Sequence, residues 1–307
     1  RDLLSNGFYV VGLDNFEYGN QFSIKDLMSN SHFTLIEGDL RKRGTITSLL
    51  KNDVDVVVHL AGIVGDPACN MRAEEAVKVN YDVTINLAEA MLRKDVDLFL
   101  FSSTCSVYGK TSSPYATEET DLKPISLYGW TKVLSERGLK RLRGEGLPVC
   151  ILRFATAHGL SPRMRFDLVV NYFALKAVRD GSITVLGGNQ WRPFVHVDDI
   201  SAALQLCIKN LRKVNGKIFN VGSDKENYTI AGLAETVKKV IPSLKIKTLP
   251  EIRHERSYRV KFAKIIKALN FKTTKTVEDT IREASEALTS GRIKNPSSKI
   301  YYNYPPT

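Results

Sequence analysis

Tyr128 and Lys132 stand four residues apart in the run Tyr128-Gly-Trp-Thr-Lys132. On a helix that spacing puts the phenol and the ammonium on one face. A nearby cation favours phenolate over phenol, so the pair is expected to draw the tyrosine pKa down towards working pH. A tyrosine so placed serves as general base towards a sugar or alcohol hydroxyl, and the lysine can hold ribose hydroxyls. The same spacing also occurs on solvated helix faces that do no chemistry, so context decides. Upstream, FLFSSTCSVYG over residues 99–109 closes an apolar run with a cluster of hydroxyls. At the carboxyl end of a parallel strand, such a cluster sits where ligands bind in open α/β sheets; elsewhere it is only a polar loop. A third feature is FYVVGLD, which ends in Asp14. An acid at the end of the second strand of a dinucleotide fold accepts hydrogen bonds from the adenosine ribose and repels a 2′-phosphate, which favours NAD over NADP. The competing reading is a strand-end turn.

These residues need a frame. Apolar runs of buried-strand type are Phe8–Leu13, Phe33–Glu37, Val54–Leu60, Val96–Phe101 and Pro148–Phe154. Helical patterns at Thr45–Leu50, Glu74–Lys94 and Ser126–Arg143 lie between them. That alternation predicts an α/β fold, a doubly wound parallel sheet covered on both faces. After about residue 160 the rhythm loosens. Helical patterns at Phe166–Arg179, Asp199–Lys209, Ile230–Val240, Lys261–Leu269 and Val277–Leu288 are separated by short strands. The expected division is a dinucleotide-binding part over 1–160, to which 190–222 partly returns, and a smaller interleaved substrate region over 161–307.

Composition bounds the class. The 307 residues are 43% hydrophobic and 25% charged, which excludes a disordered, collagen-like or disulfide-stapled chain. Cys69, Cys105, Cys150 and Cys207 form no CxxC pair and lie near no His at ligand spacing. Free thiols in a reducing cytoplasm and no metal site are the expectation. No apolar run approaches the ~20 residues that span a bilayer, so no membrane partner is expected. The formal charge is +11, unevenly spread: residues 201–307 hold 21 basic and 9 acidic residues, the rest 23 and 24. Such a charge suggests a polyanion, but no aromatic-interleaved basic motif or helix-turn-helix accompanies it, so nucleic acid is not expected. The opening RDLLSNGF reads as the end of a helix. The glycine-rich turn that belongs ~20 residues before the ribose-binding acid is not in the sequence. The natural protein is therefore expected to carry a preceding strand and turn.

In order along the chain stand LDNFEYGN (13–20), EGDL (37–40), VVHLAG (57–62), VNYDVTINL (79–87), SSTCSVYG (102–109), YGWTK (128–132), RFATAHG (153–159), RPFVHVDD (192–199) and FNVGS (219–223). With these motifs the sequence resembles the extended short-chain dehydrogenase/reductases, the NAD-dependent nucleotide-sugar epimerase/dehydratase family, on the side of its UDP-glucose 4-epimerase-like members. The resemblance implies a Rossmann-type fold, bound NAD and a nucleotide-diphosphate sugar as substrate. It makes Thr104 the catalytic hydroxyl, Tyr128 the base and Lys132 its partner. It places Asp14, with Asn15, on the ribose, and Asp39 and Leu40 on the adenine. Leu60, Ala61 and Gly62 would line the cofactor phosphates and ribose, with Asn80 and Ser102 in the nicotinamide half. Arg192 and Arg256 would grip the substrate diphosphate, since two forked guanidiniums bind its oxygens bidentately. Arg165, and Thr156 where the family often has Asn, are placed with the substrate. Family members usually pair as homodimers through two helices, here 74–94 and 126–143.

The residues after Thr104 narrow the chemistry. In the family's 4,6-dehydratases an Asp-Glu pair follows the catalytic Thr; here stand Cys105 and Ser106, a poor acid/base pair for losing water. In its 3,5-epimerase/reductase branch a Cys stands where Ser106 is, one place later than Cys105. A one-residue offset at a strand end turns a side chain the other way. Epimerisation at C4 needs only Thr104, Tyr128, Lys132 and NAD. The alternatives are the 3,5-epimerase/reductase, the 4,6-dehydratase and a non-catalytic NAD-binding scaffold. Arg163 is a further candidate for the phosphates and Asp66 for a sugar hydroxyl, within a loop over 62–70. His196 is expected to be packed or hydrogen-bonded, and Trp191 either lines the cleft or closes the core.

Overall fold

The computed structural model describes residues 1–111, 113–250 and 256–304. The first half alternates strand and helix: α1 (Asp2–Ser5), β1 (Val10–Asp14), β2 (Phe33–Glu37), α2 (Arg43–Leu49), β3 (Val56–His59), α3 (Asp66–Met71), α4 (Ala73–Val77), α5 (Val83–Lys94), β4 (Leu98–Thr104), α6 (Leu127–Gly144) and β5 (Val149–Phe154). The second half runs β6 (Thr156–His158), α7 (Val169–Asp180), β7 (Ser182–Leu186), β8 (Trp191–His196), α8 (Val197–Ile208), α9 (Leu211–Val214), β9 (Ile218–Val221), β10 (Asn227–Thr229), α10 (Ile230–Val240), β11 (Lys245–Leu249), α11 (Ala263–Leu269) and α12 (Val277–Thr289).

The central sheet is parallel throughout, in the order β3-β4-β5-β9. Side chains alternate across its strands. Phe99, Phe101, Val149 and Ile151 pack under α5 and α6, against Leu87, Met91, Leu139 and Leu142. Leu98, Leu100, Cys150 and Leu152 face the other way, onto Ala203 and Cys207 of α8 and Ile265 and Leu269 of α11. Each such side chain contributes about 1.5–3 kcal/mol by leaving water. β1 and β2 form a separate parallel pair. Two smaller sheets, β10-β8-β6 and β11-β7, carry the second region, with α7, α10 and α12 packed round them. No described helix is long and apolar enough to cross a membrane, and the four cysteines are free and buried.

Three elements depart from the sequence pattern. The helix expected over 74–94 is broken by a π-helical turn at Lys78–Asp82. There the Asn80 carbonyl accepts the Thr84 and Ser135 hydroxyls, both at 2.7 Å, which supply partners that the widened turn displaces. β4 extends three residues past its apolar run, because its ladder with β5 continues through Ser102, Ser103 and Thr104. The 62–70 stretch is loop only as far as Gly65; Asp66 opens α3 with Pro67 in its first turn, where a missing N–H costs nothing.

Candidate active site

The site is built on the ends of β4 and α6. Thr104 closes β4, and its hydroxyl accepts from the Ser106 amide at 3.1 Å, which starts a 3-10 turn over Cys105–Tyr108. Ser126 caps α6 by accepting from the Gly129 amide at 3.2 Å. Gly129 lets the helix start approach that turn: a Cβ would lie 2.9 Å from Pro124 Cβ and 3.2 Å from the Ser106 carbonyl oxygen. Tyr128 and Lys132 therefore face the strand end. The Thr104 hydroxyl stands close enough to the Tyr128 phenol to favour its ionised form. Lys132 is buried, donates to the Ser102 carbonyl at 2.8 Å and lies 4.8 Å from the Phe101 ring centre.

The electrostatics correct one expectation. Burial pushes the Tyr128 phenol up; the Thr104 hydroxyl and the Arg165 charge oppose that only in part. Burial also brings Lys132 down to about 8, with Glu136 among the charges that hold it up. Desolvation thus outweighs the attraction expected of the i, i+4 pair, and the phenol keeps its proton in the ligand-free protein.

Behind the strand lies a network that spacing alone did not suggest. Glu136, one turn after Lys132, accepts from Ser103 Oγ at 2.6 Å and from Arg153 Nη2 at 2.7 Å, all three residues being buried. Arg153 also donates to Tyr108, whose hydroxyl donates to Asn220. Asn80 is fully buried; its carboxamide donates to the Ile63 carbonyl and to Thr131, and accepts from the Ile63 amide at 2.8 Å. It staples the 60–63 ledge to α6. Cys105 is buried, donates to the Arg153 carbonyl at 3.3 Å, and its thiol is pushed up by burial. Ser106, not Cys105, faces the cleft.

The cleft holds about 1210 Å³ and is lined by Leu60, Ser102, Thr104 and Tyr128 on one side and by Thr156, Arg165, Arg192 and Arg256 on the other. Arg192 is buried and donates to the carbonyls of Trp191, at 2.7 Å, and Arg256. Arg256 pairs with Asp66 at 2.7 Å, and Arg165 with Asp167 at 2.7 Å. Asp66 has a buried oxygen with no partner, also on the cleft. Arg163 is not a phosphate ligand here: it holds backbone carbonyls of Ile300 and Tyr302. Trp191 packs against Arg259 rather than lining the cleft. His196 caps α8, accepting from the Asp198 amide at 3.1 Å.

Asp14, Asn15 and Asp39 gather at the ends of β1 and β2. Asp14 accepts from the Phe16 amide at 2.7 Å, and Asn15 reaches Asp39 at 3.5 Å. Arg41 holds Asp39 down to about 2. Leu40 packs on the core edge, while Leu60 and Ala61 are exposed. At Gly62 a Cβ would lie 3.0 Å from Asn80 Oδ1 and 3.7 Å from Lys132 Nζ, so the ledge passes close to the lysine. Carboxylates at one end, an open backbone ledge and a buried ammonium beside a phenol fit a dinucleotide.

A parallel α/β sheet with Thr, Tyr and Lys at its carboxyl edge defines a short-chain dehydrogenase/reductase. Residues 1–222 match the NAD dependent epimerase/dehydratase family, and the chain belongs to it. It is 32% identical over 241 residues to an uncharacterised UDP-glucose epimerase of Bacillus subtilis, covering 76% of this chain and 72% of that one. It is 30% identical over 252 residues to a UDP-N-acetyl-alpha-D-glucosaminuronate decarboxylase of Bacillus cytotoxicus, covering 79% and 76%. Among solved structures, UDP-glucuronic acid 4-epimerase from Bacillus cereus, in complex with UDP-glucuronic acid and NAD, matches with a TM-score of 0.81 at 27% identity over 94% of each chain. The protein is an NAD-dependent nucleotide-sugar enzyme of the extended type.

Proposed function

We propose that the protein inverts C4 of a nucleotide-diphosphate sugar through a transient 4-keto sugar. The observation that carries the reading is Thr104 beside Tyr128 on the cleft wall, with Cys105 and Ser106 following where a dehydratase needs carboxylates. Tyr128 takes the proton of the sugar 4-hydroxyl, and Thr104 donates to the oxygen as charge develops on it. Bound NAD would supply a reversible hydride acceptor for C4 and a positive charge that favours the phenolate which burial otherwise opposes. The keto sugar turns within the cleft; Tyr128 gives its proton back when hydride returns to the opposite face. Lys132 holds the nicotinamide ribose. Arg192 and Arg256, with Arg165 and Thr156 nearby, bind the diphosphate, and Arg256 exchanges Asp66 for phosphate oxygens. Asp14, Asn15, Asp39, Leu40, Leu60, Ala61, Gly62, Asn80 and Ser102 are assigned to NAD.

The test incubates the full-length protein with a panel of nucleotide sugars and reads products by NMR. A C4 epimer without net NADH is the expected result. A 4-keto-6-deoxy sugar, release of carbon dioxide from a uronate, or stoichiometric NADH would each replace this reading. For assembly and place we propose a cytoplasmic homodimer through the 74–94 and 126–143 segments. Trp130 and Leu134, which α6 leaves exposed, support it; a monomer in gel filtration would overturn it.

A further inference from the structure

After α12 the chain runs back over the cleft. The Phe166 amide donates to the Tyr301 carbonyl at 3.0 Å, and the two rings meet edge to face at 5.7 Å. Arg163 donates to the Ile300 carbonyl at 2.6 Å and to Asn303 Oδ1 at 2.9 Å. Its guanidinium also lies 4.4 Å from the ring centre of Tyr18, just beyond β1. One arginine therefore ties the segment to the cofactor side of the molecule. Tyr302 and Tyr304 line the cleft. Tyr304 packs on the buried cluster of Ile63, Ala68, Cys69 and Ala76, on which Tyr128 also packs. Its hydroxyl makes no hydrogen bond among the described residues, and burial raises its pKa, so it is a neutral donor.

We propose that Tyr304 is a sugar-binding, specificity-determining residue, held as a wall of the hexose end of the cleft by the Arg163-anchored segment. A phenol ring offers an apolar face to the C–H face of a pyranose and a hydroxyl to its rim. This rests on the reading that the ligand is a nucleotide sugar, whatever the reaction at C4.

The test compares calorimetric affinities of the full protein, Tyr304→Phe and Tyr304→Ala for nucleoside diphosphates and their glucose conjugates. The pairs are UDP, dTDP, GDP and CDP, each with its sugar. For the pair that binds the wild type, Tyr304→Ala is expected to weaken the conjugate on the order of tenfold and the bare diphosphate less than about twofold. Tyr304→Phe, which keeps the ring, is expected to lose about threefold on the conjugate alone. Equal losses on diphosphate and conjugate, no loss on either, or a wild type that binds none of the pairs overturns the assignment. NMR of the wild-type product separates the two claims. A product other than the C4 epimer removes the proposed reaction, whereas the difference between conjugate and diphosphate still stands or falls with Tyr304.

Discussion

The two ends of the cofactor ledge are built differently. At the β4–α6 end, Lys132, Glu136, Arg153, Asn80 and Ser103 are all buried, and each makes hydrogen bonds at the range of good protein geometry. At the β1–β2 end, Asp14 and Asn15 are exposed, and their partners are local turn amides and one surface ion pair around Asp39. A buried network fixes atoms to fractions of an ångström, but breaking it leaves desolvated charges. A surface cluster costs little to alter and contributes little to stability. In the proposed function, the reacting groups therefore stand on the rigid end and cofactor selection on the replaceable one.

That contrast can be broken at either end. The largest effect is expected of Tyr128→Phe, which removes the proton acceptor. Turnover should fall by about 10²–10⁴-fold, the range for a lost general base, with the melting temperature nearly unchanged. A fall below about tenfold would take Tyr128 out of that role. Next comes Glu136→Ala, which leaves Arg153 buried and unpaired; it is expected to cost about 3–5 kcal/mol in denaturant unfolding. A loss under about 1 kcal/mol would show that water reaches the network.

Lys132→Met is expected to lower turnover by less than Tyr128→Phe and yet stabilise the ligand-free protein at pH 7. Lys132 lies near 8 in the folded state against an ordinary 10.5. The unfolded chain therefore binds more protons between these values, and wild-type stability rises with pH through that window. The shift corresponds to about 3 kcal/mol of strain below pH 8. Melting curves of the two proteins should converge by pH 10.5; a parallel pH dependence would refute the assignment. The smallest effect is expected at the exposed end. Asp14→Ala should weaken NAD by about 1 kcal/mol, relax the discrimination against NADP and leave the melting temperature within a degree or so. Competition binding with the two cofactors measures it, and an unchanged NAD affinity would remove Asp14 from the ribose.

The central strands and the α6 helix were legible in the sequence, because continuous apolar runs and a period-3.6 pattern survive in one dimension, as does the spacing of Tyr128 and Lys132; Thr104 was singled out through the family resemblance. The π-turn at Asn80 was not, since one of the two hydroxyls that stabilise it comes from Ser135, which lies on another helix. Arg163 reads as one more cleft arginine beside Arg165, and only the return of residues 300–303 makes it a clamp. Asp66 and Arg256 lie 190 residues apart and meet only across the cleft.

The sequence by itself determined the class of the protein: a parallel sheet buried on both faces, a strand end rich in hydroxyls, and a Tyr–Lys pair on the following helix. The sheet and helix rest on local periodicity and hydrophobic patterning, and the class on the ordered motifs by which the sequence resembles its family. Only the tertiary structure decided the ionisation of Tyr128 and Lys132, the burial of Cys105 away from the cleft and the placing of Tyr304 on the cleft wall. Desolvation and contacts between distant segments set all three, and neither exists until the chain has folded.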